Sequence, residues 1–181
     1  MNCIRTDEEF PFTPPVVRSE GVHVSEIIRD MARELFCAGQ RVDSAPDLLQ
    51  FEKGFLWERV LSEAFGPDMA ARPGEIVMDG IACSPDGVGF DDDGEVVVEE
   101  YKCTVMSSDK TPEEIWTWRM QVACYCYVVG AKVAVFRVFN LKGNYKDFSP
   151  KYNVWRLEFT ENELMDVWMS VVGHAKAKGW L

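Results

Sequence analysis

No stretch of this 181-residue chain approaches the roughly 20 consecutive apolar residues that a membrane-spanning helix needs. The N-terminus, Met-Asn-Cys-Ile-Arg-Thr-Asp-Glu-Glu, lacks a basic segment followed by an apolar one, so no signal peptide and a cytoplasmic location are expected. No membrane partner is expected either. Cysteine pairs at metal spacing are missing: Cys3, Cys37, Cys83, Cys103, Cys124 and Cys126 include no C-x-x-C. Cys124 and Cys126 stand two apart on a predicted helix, which turns them to different faces. A zinc site is therefore not expected, and reduced, mostly buried thiols are. Histidine is scarce, and neither His23 nor His174 has a partner at ligand spacing. Positive charge is short as well. With 19 Lys and Arg against 30 Asp and Glu the net charge is −11, which argues against a nucleic-acid coat or a polybasic membrane binder. It does not argue against an enzyme whose carboxylates hold a metal, since those count as negative until the metal binds. There are no repeats and no low-complexity segment.

What is present fits one domain over residues 1–181, with 1–17, which carries three prolines, as an N-terminal arm. Ser25 is placed to cap a helix whose apolar positions are Ile27, Ile28, Met31, Leu35 and Phe36, with Gly39 at its end. A second helix is predicted over 46–65, stopped by Gly66-Pro67. Strands are predicted over 75–83, 88–90 and 95–103, the last two joined by the turn Asp91-Asp92-Asp93-Gly94. Thr111-Pro112-Glu113-Glu114 opens a helix to Val129, closed by Gly130. Strands follow over 132–140 and 152–159, and Thr160-Glu161-Asn162-Glu163 caps a last helix to about residue 178. The order α, α, β-hairpin, α, β, β, α predicts an α/β (α+β) fold, a central mixed β-sheet flanked by helices.

The chemistry gathers in Ser84-Pro85-Asp86-Gly87 and in Val96-Val97-Val98-Glu99-Glu100-Tyr101-Lys102. Side chains alternate along a strand, so Glu100 and Lys102 share a face and Glu99 takes the other. Asp86 precedes the turn that reverses the chain, so a hairpin brings it beside Glu100. Two carboxylates and a lysine at a strand end suit a hard divalent metal and an activated water, which is hydrolytic chemistry on a phosphodiester.

This S-P-D-G segment followed by E-x-K resembles the PD-(D/E)xK nuclease superfamily, and within it the lambda-type phage exonucleases and YqaJ-like viral recombinases. The resemblance runs from about Arg18 to the C-terminus. It implies a restriction-endonuclease-like core, and Mg²⁺ or Mn²⁺ held by Asp86, Glu100 and the backbone carbonyl of Tyr101. Lys102 then orients or activates the attacking water. Glu58, four residues after Gly54, resembles the helix acid of RecB-like nucleases and would be a third metal ligand. Gln121 and Tyr125 match their Q-x-x-x-Y motif, with the glutamine near the catalytic lysine or scissile phosphate and the tyrosine near DNA. Arg18 and Ser25, seven apart, match the pair that grips a DNA 5′-phosphate in lambda-type enzymes. One departure is clear. No cysteine follows Cys126, so no iron–sulfur cluster is expected.

The function implied is a metal-dependent exonuclease on duplex DNA ends, 5′ to 3′, in a bacterial or phage-infected cell. The implied partners are copies of itself, in a ring of three as lambda-type enzymes form, and a single-strand annealing protein. Two other readings are an endonuclease on the same core and a catalytically silent DNA-binding protein. Asp79, near the site in sequence, is expected at a strand edge, and Trp116 and Trp118 in packing or subunit contact. Lys142, Lys146 and Lys151 lie in a loop that DNA or solvent could face.

Overall fold

The computed structural model describes residues 20–36, 45–65 and 70–181. In chain order these form β1 (Val22–His23), α1 (Val24–Leu35), α2 (Ala45–Phe65), β2 (Ala70–Ala71), β3 (Ile76–Met78), β4 (Ile81–Cys83), β5 (Gly87–Phe90) and β6 (Val96–Thr104). A 3-10 turn at Pro112–Glu114 leads into α3 (Trp116–Val129), followed by β7 (Val133–Asn140), β8 (Lys151–Glu158) and α4 (Glu161–Ala177). The expected α+β fold is present. Its central mixed sheet has the order β2-β5-β6-β7-β8, and a second sheet has the order β1-β4-β3. Strands β6 and β7 run parallel with α3 as their crossover, and the other pairs of the larger sheet are antiparallel.

Strand β6 organises the molecule. Val98 faces a core shared with Phe136 of β7, Val122 and Cys124 of α3, Ile27 and Ile28 of α1, and Trp168 and Val171 of α4. All of these are nearly or fully buried, which makes this face the main apolar stabilisation of the fold. On the other face, Trp57 of α2 stacks on Phe139 with ring centroids 4.9 Å apart. The polar register of β6 is thereby locked, because a slip of one residue would exchange the two faces. Burial pushes the thiols of Cys83 and Cys126 up to about 12, which leaves them inert at neutral pH. Cys3 and Cys37 lie outside the described residues. No described helix is long and apolar enough to cross a membrane.

Several boundaries differ from the sequence reading. Residues 75–83 are not one strand but a hairpin, with Met78 paired to Ile81 across Asp79-Gly80. Both turn residues take positive φ, 51° and 80°, the conformation that makes Asp-Gly a two-residue hairpin turn. Asp79 is not at a plain strand edge: its Oδ2 accepts a 2.9 Å hydrogen bond from the indole N–H of buried Trp168. Ser25 is not the cap of α1. His23 holds that position and Ser25 is the second residue of the helix, because β1 pairs with β4 through His23 and the helix starts directly after it. Thr111 and Glu114 do bond, the Glu114 carboxylate accepting the Thr111 N–H at 2.7 Å, but they close a 3-10 turn and α3 begins only at Trp116. Gly130 ends α3 in the left-handed region at φ 74°, as expected of a C-terminal glycine. The stops proposed at Gly39 and at Gly66-Pro67 lie outside the described residues.

Candidate active site

The site forms where β5 leaves β6. Their ladder runs from Phe90–Val96 to Gly87–Glu99 and stops there. Asp86 comes next on β5's side, between Pro85 and Gly87, and its side chain takes over from the strand. Asp86 Oδ2 accepts the Tyr101 N–H at 2.7 Å. A backbone donor that a neighbouring strand would otherwise satisfy therefore fixes the carboxylate beside the end of β6. On β6 itself, Glu100 and Lys102 share the α3 face as their spacing requires, and Lys102 Nζ donates to Glu100 Oε1. The ammonium also lies 5.8 Å from the ring centre of Trp118, which stacks on Phe136.

Glu100 is 2% exposed. Burial, and then the charge of Asp86, push its carboxyl up to about 8. Burial raises Asp86 too, against the opposing pull of Lys102, the Tyr101 N–H and Arg72. Glu58, from α2, belongs to the same group. Burial followed by the Asp86 charge lifts it to about 7. Burial works against the charge of Lys102, but Glu100 and Asp86 outweigh it and hold the ammonium above its ordinary value. The three carboxylates outnumber the two cations beside them, Lys102 and Arg72. Glu100 Oε2 is also buried with no hydrogen-bond partner, a costly state for a carboxylate oxygen. An added cation would relieve both, so this all-oxygen donor set fits a hard divalent ion.

The sequence missed Arg72. It lies between β2 and β3, and its Nη1 is 2.5 Å from Glu58 Oε1. A lone arginine after an Ala-Ala pair carries no motif, and only the fold brings it to a helix fourteen residues earlier. Arg72, Ser25, Asp86, Gln121 and Tyr125 line one cleft of about 440 Å³. Gln121 and Tyr125 sit one turn apart on α3, with the Gln121 amide donating to the Tyr125 hydroxyl at 2.8 Å. Tyr125 lines the cleft but is buried, 3% exposed, which leaves little of it for DNA to touch. Arg18 lies outside the described residues.

Glu99 faces away from this group. Its two oxygens take Arg137 Nε and Nη2 at 2.6 and 2.8 Å, a buried two-point pair on the opposite face of the sheet. Lys151 is not in the loop but opens β8, and it pairs with Asp147 of the preceding loop at 2.8 Å. Trp116 meets Phe36 edge to face, a packing contact. A second acidic cluster joins Asp30 and Glu34 of α1 to His174 of α4, with His174 Nε2 2.9 Å from Asp30. Lys178 inserts its ammonium between the two carboxylates, 3.1 Å from Asp30, and supplies the positive charge there.

No family model and no curated relative matches the chain. Solved structures do. An alkaline exonuclease from Laribacter hongkongensis superposes with a TM-score of 0.52 at 14% identity, over 87% of each chain. The same enzyme in complex with dAMP gives 0.51 at 15%. A phage-related exonuclease from Haemophilus somnus 129PT gives 0.52 at 12%, over 83% of this chain and 78% of its own. The chain thus has the fold of the exonucleases its S-P-D-G and E-x-K segments resemble.

Proposed function

We propose that this chain is a divalent-cation-dependent deoxyribonuclease that degrades duplex DNA from an end, 5′ to 3′. The observation that carries the reading is the convergence of Asp86, Glu100, Lys102 and Glu58, with a buried Glu100 oxygen left without a partner. Asp86, Glu100, Glu58 and the Tyr101 carbonyl are the groups that would hold Mg²⁺ or Mn²⁺. Such an ion, when bound, supplies Lewis-acid charge and a more acidic water. The chain's own contribution is positioning and fixed charge. Lys102 stays an ammonium, held by Glu100 and backed by Trp118, so it meets a phosphate as a cation whose effect grows as the phosphate gains charge. Gln121 lines the cleft beside Asp86 with an amide able to bond a phosphate oxygen or a water. The fold shared with two exonucleases supports action at ends, and the dAMP bound to one of them belongs to that neighbour alone. A processive enzyme of this type would enclose DNA as a ring of copies, three in lambda-type enzymes, and supply single strands to an annealing protein in a bacterial or phage-infected cell.

The test is digestion of linear duplex labelled at either end, carrying 5′-phosphate or 5′-hydroxyl, with Mg²⁺, Mn²⁺ or chelator. Nucleotide release from 5′-phosphorylated ends is expected, with none in chelator and none from Lys102→Ala. Cutting of closed circles, with equal rates on both kinds of end, would establish an endonuclease instead. No release under any condition, with Lys102→Ala indistinguishable from the parent, would establish a silent DNA-binding protein.

A further inference from the structure

Among the described residues lining the cleft beside Asp86, Arg72 is the one lysine or arginine. The other charged walls are carboxylates, Asp86 and Glu75, in a protein of net charge −11. A polyanion entering there is repelled unless a fixed cation offsets those groups. Arg72 is suited to that. Its side chain is 62% exposed, whereas that of Glu58 is 9% exposed, so the guanidinium reaches from the solvent side down onto a buried carboxylate. The nearest approach is through Nη1, 2.5 Å from Glu58 Oε1. A planar guanidinium carries further donors and matches a phosphate as well as it matches a carboxylate.

We propose that Arg72 binds a phosphate group of the nucleic acid next to Asp86, and that Glu58 occupies its guanidinium in the free protein. This rests on the nuclease reading and names a phosphate subsite within it. The sequence motifs assign that role to Arg18 and Ser25, and Arg72, between β2 and β3, adds a phosphate contact that no motif marks.

The test is fluorescence anisotropy of the full chain with a 3′-labelled blunt duplex across a salt series. The duplex carries 5′-phosphate or 5′-hydroxyl, and is measured with calcium, a hard cation for the carboxylates, and with chelator. Arg72→Ala is expected to weaken binding about tenfold and to lower the slope of log affinity against log salt by about one. Arg72→Lys should fall between the two, because it keeps the charge and loses the fork. A loss seen equally on both duplexes assigns an internal backbone phosphate, and a loss confined to the phosphorylated one assigns the terminal phosphate. If the parent binds DNA and Arg72→Ala binds with unchanged affinity and slope, the proposal is overturned and the nuclease reading stands. A drop in thermal stability with unchanged DNA affinity has the same meaning, making Arg72 only the partner of Glu58. If the parent binds no duplex at any salt, the nuclease reading and the Arg72 proposal fail together.

Discussion

Replacing Glu99 by alanine removes the two carboxylate oxygens that take Arg137 Nε and Nη2 at 2.6 and 2.8 Å. The Glu99 and Arg137 side chains are only 9% and 12% exposed, so water cannot fully replace the lost partner. Breaking a buried pair from one side destabilises by about 3 kcal/mol. For a chain of this length that corresponds to a Tm lower by about 10 °C. Activity measured well below that transition should stay within about twofold of the parent, because the pair lies on the face away from Asp86. Glu100→Gln, one residue on, should do the reverse. Nucleotide release should fall by at least ~100-fold, the scale of removing one charged group from a reacting centre. Its effect on stability follows from the sign of the shift. Burial and Asp86 raise the folded carboxyl from 4.5 to about 8, so the fold binds that proton more tightly than the unfolded chain does. Stability of the chelated parent therefore falls as pH rises from about 4.5 through about 8. Glutamine cannot ionise, so the variant should lose that part of the slope. Urea titrations at pH 6 and pH 9, beside end-labelled digestion, read both effects. Retained digestion by Glu100→Gln, with digestion abolished in a folded Glu99→Ala, would refute the strand register on which the site depends.

Three further outcomes are expected. Adding Mg²⁺ or Mn²⁺ to chelated protein should stabilise it by about 2.7 kcal/mol at a hundredfold excess over Kd, read as a higher Tm in differential scanning fluorimetry, and Asp86→Asn should remove the rise. Asp30 is held below its ordinary value, chiefly by the hydrogen bond from His174 and, against the cost of burial, by Lys178. That stabilisation is present above the ordinary carboxylate range and lost as pH falls through the lowered value. Asp30→Asn should thus cost about 1 kcal/mol at pH 7 and converge on the parent in acid, read by chemical denaturation. Trp168→Phe removes the bond to Asp79 and part of a fully buried ring, and should lower stability by about 2 kcal/mol without changing the rate of digestion per folded molecule.

Much of the site was legible because strand alternation is local and strict. It alone separated Glu99 from Glu100 and joined Glu100 to Lys102. The i, i+4 spacing likewise placed Gln121 and Tyr125 on one helix face. Other features left too little pattern to read. Strands β1 and β2 are two residues long, shorter than one full alternation, and were invisible. The Asp79-Gly80 turn had a sequence signal, yet the apolar residues on either side of it read as one continuous strand. Ser25 looked like a cap because serine often is one, but pairing of β1 with β4 moved the helix start to Val24.

The sequence by itself determined which residue types meet at the end of β6, since turn chemistry, capping residues and the two-residue period act over a few positions. Only the tertiary structure decided which distant groups join them. The β5–β6 ladder stops at Gly87, and this hands the Tyr101 N–H to Asp86. The packing of α2 brings Glu58 into the same buried charge cluster. The return of the chain through β2 lays Arg72 on that glutamate. Charge interactions of this kind depend on distance and burial rather than on spacing along the chain, so no local pattern announces Arg72, and Glu58 was marked only by its place four residues after Gly54.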